Sequence, residues 1–565
     1  MRLLATAALA LVACAGKAGE DTSGPGPRTV GAAAAAATDQ QELGLLRDVT
    51  AGSGLDFTHD NGATGRKYLP EIMGAGGAVL DYDGDGRLDL YLMQSGPLPW
   101  EERSAAPANR LFRNLGGGVF ADVTAAAGAG DDGYGMGAIA GDYDNDGDTD
   151  LYLVNLGPDR LLANRGDGTF VDATTMARID SPLWGSSAAF ADGDRDGDLD
   201  LYVVNYLDFS REKHIDCGSP SKGLLAYCHP DAYDMAPDLF LENSGDGTFR
   251  PATDDAGLTD PSGKGLGVVA ADLTGDGAGD IYVANDSTPN FLYRNLGAGR
   301  FEEAALFLGV GHNDQGKTEA GMGTAAGDVD GDGRLDLFVT NLNGETNSLY
   351  LGGDELFTYG TREAGLYAPS FMWVGFGTEL VDLDNDGDLD LVVTNGHVID
   401  NVELIDDAQS FRQPSQAFLN DGGGRFSEVP AARIPDLAVP RVGRGTMSFD
   451  LDDDGGRDLV ITFNRDRARL FRNEIEPRGN WLGVGLTGTG CNRDGVGARL
   501  AVEAAGRRQV GERVAGSSYQ TSGDPRVHFG LAGAGTAERV EVRWPCGRRR
   551  AYLDLPADRY YRLVE

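Results

Sequence analysis

An aspartate-rich nonapeptide, D-x-D-x-D-G-x-x-D, recurs seven times in the chain, beginning at Asp81, Asp142, Asp192, Asp272, Asp328, Asp382 and Asp450. A repeat of this kind fixes the architecture before any single segment is read, because each copy cannot bury its own apolar face and must stack on its neighbours. The starts lie 50 to 80 residues apart, the spacing of one structural unit carrying insertions of different length. Each unit shares a second signature. In the second copy, Gly135 to Ala140 reads as an apolar strand, the acidic loop runs from Asp142 to Asp150, and Leu151 to Asn155 forms the next strand. Leu161 to Asn164, a Gly-Asp-Gly turn, and Phe170 to Thr174 supply a third and a fourth. Four short strands joined by Gly-rich turns predict one antiparallel sheet, and sheets repeated at this interval predict propeller blades.

The last acidic loop is followed by two strands only, Leu459 to Thr462 and Leu470 to Asn473. Leu45 to Thr50, ahead of the first loop, matches the fourth-strand text Phe120 to Thr124, so an N-terminal strand is expected to complete the final blade and remove its free edge. The expectation is all-β: a closed seven-bladed propeller over residues 44–476, followed by a small β-rich domain over 477–565.

Alternate aspartates, a glycine for the sharp turn and a further carboxylate set hard oxygen ligands around one centre, the chemistry of Ca2+. The ninth position carries the last carboxylate and strands flank the loop, unlike an EF-hand, whose final Glu is twelfth and lies between helices. Zinc would need His or Cys, which the loops lack. The expected ligands in the first loop are Asp81, Asp83, Asp85, the carbonyl of Arg87 and Asp89. The same positions are Asp142, Asp144, Asp146, Asp148 and Asp150 in the second, and Asp192, Asp194, Asp196, Asp198 and Asp200 in the third. They are Asp272, Thr274, Asp276, Ala278 and Asp280 in the fourth, and Asp328, Asp330, Asp332, Arg334 and Asp336 in the fifth. Asp382, Asp384, Asp386, Asp388 and Asp390 make the sixth, and Asp450, Asp452, Asp454, Gly456 and Asp458 the seventh. The fourth loop, with Thr274 in place of an aspartate, is expected to bind more weakly. Asp and Glu outnumber Lys and Arg by 88 to 48, a formal charge of -40, which repels nucleic acid and anionic lipid. About seven calcium ions would offset part of that charge and stabilise the ring by mass action.

These loops and their flanking strands resemble FG-GAP/VCBS repeats, a resemblance that implies a calcium-bearing propeller used in adhesion or recognition. After Glu474 the acidic repeat stops. Asn492 to Arg499, Ser518 to Ser522, His528 to Leu531 and Val542 to Gly547 follow in the order of an ASPIC/UnbV domain, and the combination is similar to cartilage acidic protein and its bacterial relatives. This C-terminal region, having no acidic loops, is expected to stay protease-resistant when chelation opens the ring.

Residues 1–14 read as a short apolar export signal ending in Leu11-Val12-Ala13-Cys14, which resembles a lipobox with Cys14 as the lipidated residue; residues 15–43 read as a flexible tether. The expected address is an outer membrane or cell surface, with membrane contact through the lipid alone. The four remaining cysteines fall into two local groups, which predicts Cys217 with Cys228 and Cys491 with Cys546 in an oxidising compartment.

Strand order places the acidic loops and Gly-Asp-Gly turns on one face of the ring and the ends of the second strands on the other. Asn155, Asn205, Asn285, Asn341 and Asn395 occupy those ends, with Gln94 in blade one, and form a candidate amide ring for a glycan or peptide ligand. The insertion from Tyr206 to Pro237, bracketing Cys217 and Cys228, is a second candidate recognition element on that face. No Ser-His-Asp, P-loop or zinc signature is present. The reading is a non-catalytic surface protein for adhesion, recognition or envelope scaffolding with a protein or glycan partner; the alternative is a carbohydrate-active enzyme such as a polysaccharide lyase, against which stands the scarcity of Lys and Arg near the amides.

Overall fold

Each acidic loop joins two strands of a four-stranded antiparallel blade, and the structure contains seven such blades, the first of them extended by a parallel fifth strand, Thr521–Ser522. It is a computed structural model that describes residues 45–101, 108–219, 221, 223–259 and 262–565. The export signal, Cys14 and the tether lie outside the described residues. Blade two is representative: Gly135–Gly141, Asp150–Asn155, Arg160–Asn164 and Phe170–Asp172 pair in sequence order, with Ala138 opposite Leu153 and Leu162 opposite Asp172. The inner strands of consecutive blades adjoin one another, and the inner strand of blade seven, Gly443–Phe449, adjoins that of blade one, Gly77–Leu80, which makes the ring continuous. The N-terminal strand Leu46–Asp48 pairs with Arg469–Asn473 and supplies the fourth strand of blade seven.

The ring closes tightly because a G-x-G pair opens the inner strand or comes just before it in six blades, as in Gly265-Leu266-Gly267 and Gly375-Phe376-Gly377. A side chain at Gly267 would collide with the carbonyl of Met322 in the next blade, and one at Gly377 with that of Arg444. Apolar residues alternate along both faces of the second strands, so Leu151, Tyr152, Leu153 and Val154 are all buried between neighbouring blades.

Residues 477–565 form a three-stranded sheet of Val527–Ala532, Asn480–Thr487 and Arg559–Val564, and a four-stranded sheet of Arg507–Glu512, Arg499–Ala504, Thr536–Arg543 and Arg549–Pro556. The fully buried Trp544 anchors the core between them. From this domain the segment 513–524 enters the propeller channel. Thr521–Ser522 pairs in parallel with Gly77 and Ala78. Phe190 donates its amide to the carbonyl of Ala515 at 3.0 Å, and Gly77 donates to that of Gln520 at 3.2 Å. Ser518 donates its hydroxyl-bearing residue's amide to Thr324 and receives, through Oγ, the amide of Thr378 at 2.9 Å. The inserted segment thereby pairs backbone groups that an empty channel would leave unmet.

Tyr519 sits at the tip, fully buried, edge-on to Phe376 at 4.9 Å. Above it Arg444, also fully buried, donates to the carbonyls of Ile72 and Gly396 and lies 3.8 Å over Phe376; burial without a carboxylate partner pushes its guanidinium down to about 10. The insertion after Asn205 folds over this end. Its Phe209 packs against Trp100, Trp184 and Tyr233, and Tyr227 donates to Glu71 at 3.0 Å. The ring is therefore filled from one end by the C-terminal segment and covered at the other by aromatic side chains.

Candidate functional site

The seven acidic loops share one backbone. The residue at position four is left-handed in every copy, with φ of 68° at Gly84, 59° at Asn145, 66° at Arg195 and 58° at Asn385. The glycine at position six has φ of 87° at Gly86 and 103° at Gly147, a conformation that only glycine adopts without strain. These two turns direct the side chains of positions one, three and five inward. Carboxylate oxygens of Asp81, Asp83 and Asp85 lie within 4.8 Å of one another, and the same holds for Asp142, Asp144 and Asp146, for Asp192, Asp194 and Asp196, and for Asp328, Asp330 and Asp332.

Two further contacts hold each loop in shape. The first aspartate accepts amides from across the turn: Asp81 Oδ1 takes Asp85 N at 3.1 Å and Oδ2 takes Gly86 N at 2.9 Å. The ninth aspartate is buried and accepts one amide from the loop and one from the end of the third strand, as when Asp89 takes Tyr82 N at 3.2 Å and Asn114 N at 2.7 Å. Burial raises the Asp89 carboxyl to about 8, with Asp83 and Asp81 adding to the rise, and raises Asp336 and Asp390 likewise to about 8. Burial, then Asp494 and the other loop carboxylates, brings Asp142 to about 7. Buried oxygens of Asp83, Asp328 and Asp382 have no hydrogen-bond partner among the described residues. Clustered acidic oxygens, some of them orphaned, without a full set of cationic partners fit a hard divalent cation.

The fourth loop does not fit in the same way. Thr274 removes one carboxylate, and Asp280 accepts the amide of Thr274 at 2.9 Å instead of that of position two, the residue that serves in the other six loops.

A feature that the sequence reading did not weigh links these loops around the ring. Asn164, closing the third strand of blade two, donates to the carbonyls of Thr149 in its own loop at 3.1 Å and Tyr82 in the preceding one at 2.8 Å. Asn243 reaches Tyr143, Asn295 reaches Gly193, Asn420 reaches Val329, Asn473 reaches Leu383, and Asn114 reaches Leu451 across the junction of blades seven and one. Blade five has Gly352 at this position and lacks the link. The signal was available as the recurrent asparagine that ends the third strand before each turn, at Asn114, Asn164, Asn243, Asn295, Asn420 and Asn473.

The C-terminal domain lies on the same face. Residues 477–565 hold fourteen arginines, no lysine and nine carboxylates, a charge of +5 in a chain of -40. Arg493 donates its amide to Asn145 at 2.9 Å, Arg507 pairs with Asp388, Arg526 with Asp453 at 2.8 Å, and Arg478 with Asp454 at 3.2 Å. Tyr560 donates to Asp450 at 2.8 Å. His528 is within 2.8 Å of Asn385 and stacks on Trp481; burial, with Arg457 nearby, holds its ring well below the ordinary histidine range.

The amides expected to form a ligand-facing ring are instead buried. Asn155, Asn205, Asn285, Asn341 and Asn395 are each at most 2% exposed. Their side-chain amides donate to the carbonyls of Pro158, Pro237, Pro289, Thr346 and Pro414 at 2.7 to 3.1 Å, cross-linking the second strand to the approach of the third. Gln94 is also buried, bonded to Thr58. These amides hold the blades and are not presented to a ligand. Both disulfides form as expected, Cys217 with Cys228 and Cys491 with Cys546. They point to an exported or extracellular protein. No helix of the described residues is long and apolar enough to cross a membrane.

The fold and its loops define a class: a β-propeller of acidic-loop repeats whose channel is filled by a basic C-terminal β-domain. The chain matches the FG-GAP-like repeat family over residues 81–153, 142–203, 272–339 and 328–393, and the ASPIC and UnbV family over 488–565. It belongs to the FG-GAP-repeat proteins that carry an ASPIC/UnbV domain. It is 30% identical over 332 residues to Cartilage acidic protein 1 of Homo sapiens, covering 56% of this chain and 46% of that protein. The Mus musculus protein of the same name is 29% identical, covering 56% and 48%. The chain thus spans about half the length of the curated relatives it matches. Among solved structures, an Agrocybe aegerita lectin specific for non-reducing terminal N-acetylglucosamine aligns at 16% identity and TM-score 0.35, over 65% of this chain and 84% of that one. The exotype rhamnogalacturonan lyase YesX aligns at 16% identity and TM-score 0.32, over 85% and 83%.

Proposed function

We propose that this is an exported, non-catalytic recognition or scaffolding protein whose propeller is held rigid by calcium in its acidic loops. The reading is carried by the repeated geometry of three carboxylates converging within 4.8 Å on one face of the ring. When bound, Ca2+ supplies the countercharge that the loop carboxylates lack and ties two strands of a blade together. The chain's own residues do the rest: the first aspartate caps the turn, the ninth locks the loop to the third strand, and the asparagine links carry the constraint to the next blade.

A protein or glycan partner would meet the insertion after Asn205, where Ile215 and Leu225 are 45% and 46% exposed on a lobe stapled by Cys217–Cys228. The lipid anchor at Cys14 belongs to the same proposal, with an outer membrane or cell surface as the address. The test is capture of envelope components by the full chain in calcium, in chelator, and with Ile215→Ser plus Leu225→Ser. Binding in calcium that is lost in both other conditions supports the reading. Capture indifferent to calcium and to the insertion contradicts it.

A further inference from the structure

In six loops the first aspartate is free of ion pairs, whereas Asp272 in the fourth is paired with Arg543 and lies 3.6 Å from Arg499, both from the C-terminal domain; this contrast holds across the described residues. Asp272 is 2% exposed, and its amide donates to Glu512 at 2.9 Å. Asp272 and Glu512 thus meet Arg499 and Arg543, so the loop's first carboxylate already has two cationic partners without any ion. The loop around it is also rebuilt, with threonine at position three and the bond to Asp280 moved by one residue. Arg499 continues to the carbonyl of Gly333 in the fifth loop at 2.5 Å.

We infer that the fourth acidic loop is not a cation site but the receptor for the C-terminal domain's arginine pair, an ion-independent latch in a ring whose other six loops take calcium. A divalent cation placed at Asp272 would have to displace Arg543, leaving a guanidinium in a half-buried site beside a second one, and would find two carboxylates besides Asp272, of which Asp276 lies 3.6 Å from Arg294. The loop departs from the repeat at the point where the domain docks, so its lost aspartate and its arginine partners are one arrangement. This inference rests, for the other six loops, on the calcium reading above.

The full chain in calcium, weighed by native mass spectrometry, tests the assignment. Asp142→Asn should lose one ion, while Asp272→Asn should keep the wild-type number; loss of an ion from Asp272→Asn overturns the assignment. A second arm compares melting at one fixed, saturating calcium concentration for Asp272→Asn, Arg543→Gln and the double variant. As a latch, each single change lowers the melting temperature by a few degrees and the double change lowers it no further, because the pair acts as a unit. Additive shifts, or none, overturn the latch. A wild type that holds no calcium refutes the calcium reading and not this one, which then stands or falls on the melting cycle.

Discussion

Ser518 and Thr324 exchange two backbone hydrogen bonds, at 2.6 and 3.0 Å, although one belongs to the C-terminal domain and the other to the inner strand of blade five. The pairing makes the C-terminal segment a structural part of the propeller. The expectation that residues 477–565 survive chelation as a separate resistant domain therefore changes: loosening of the ring should expose both together. Tyr519→Ala, which empties the channel tip, should cost about 3–5 kcal/mol by analogy with other large buried aromatics. Urea unfolding followed by tryptophan fluorescence measures it, and limited proteolysis in chelator should show cleavage in the 513–524 segment alongside cleavage between blades.

The asparagine links give a second prediction. Asn164→Ala leaves the carbonyls of Tyr82 and Thr149 without their donor in a buried site, at about 1–3 kcal/mol for an unmet polar group. The loss should be smaller at an exposed control such as Gln315→Ala, and hydrogen exchange should locate the loosening at the junction of blades one and two.

A third concerns pH. Asp524 is buried between Arg457 at 2.7 Å and Arg526 at 2.9 Å, and although burial alone would raise it, the two guanidinium groups hold its carboxyl well below the ordinary carboxylate range. A folded-state value below the unfolded one stabilises the protein above about pH 4 and loses that stabilisation as pH falls through the folded value. Asp524→Asn should therefore be destabilised by about 3–5 kcal/mol at neutral pH, since it strands the buried Arg457 and removes one of the two carboxylates paired with Arg526, and the gap from wild type should narrow as pH falls below about 4. Denaturant melts across that range decide the matter; a gap that does not change with pH contradicts the ion-triad account.

Much of this architecture is written in short local patterns. The nonapeptide places every loop, the match of Leu45 to Thr50 with Phe120 to Thr124 marks the strand that closes blade seven, and cysteine grouping marks both disulfides. The burial of the amides at the second-strand ends is not legible locally, because their role depends on partners that arrive from the next connection: Pro158-Asp159, Pro237-Asp238 and Pro289-Asn290 supply both the carbonyl and the cap. The channel segment was hidden for a related reason. Ser517 to Thr521 is polar and short, and its burial is set by G-x-G pairs more than a hundred residues away that clear space for its backbone, as Gly76 and Gly137 do around Gln520.

The count of bound calcium ions in the purified full chain, set beside its melting temperature with and without chelator, tests the account most directly. Each site held at one hundred times its dissociation constant adds about 2.7 kcal/mol, so several together exceed the usual folding margin of about 5–15 kcal/mol. The account predicts about six ions per chain, one for each loop except the fourth, and a steep fall in melting temperature on chelation. Fewer than about three ions, or a melting curve that chelator leaves unchanged, would contradict the claim that the acidic loops are built around calcium.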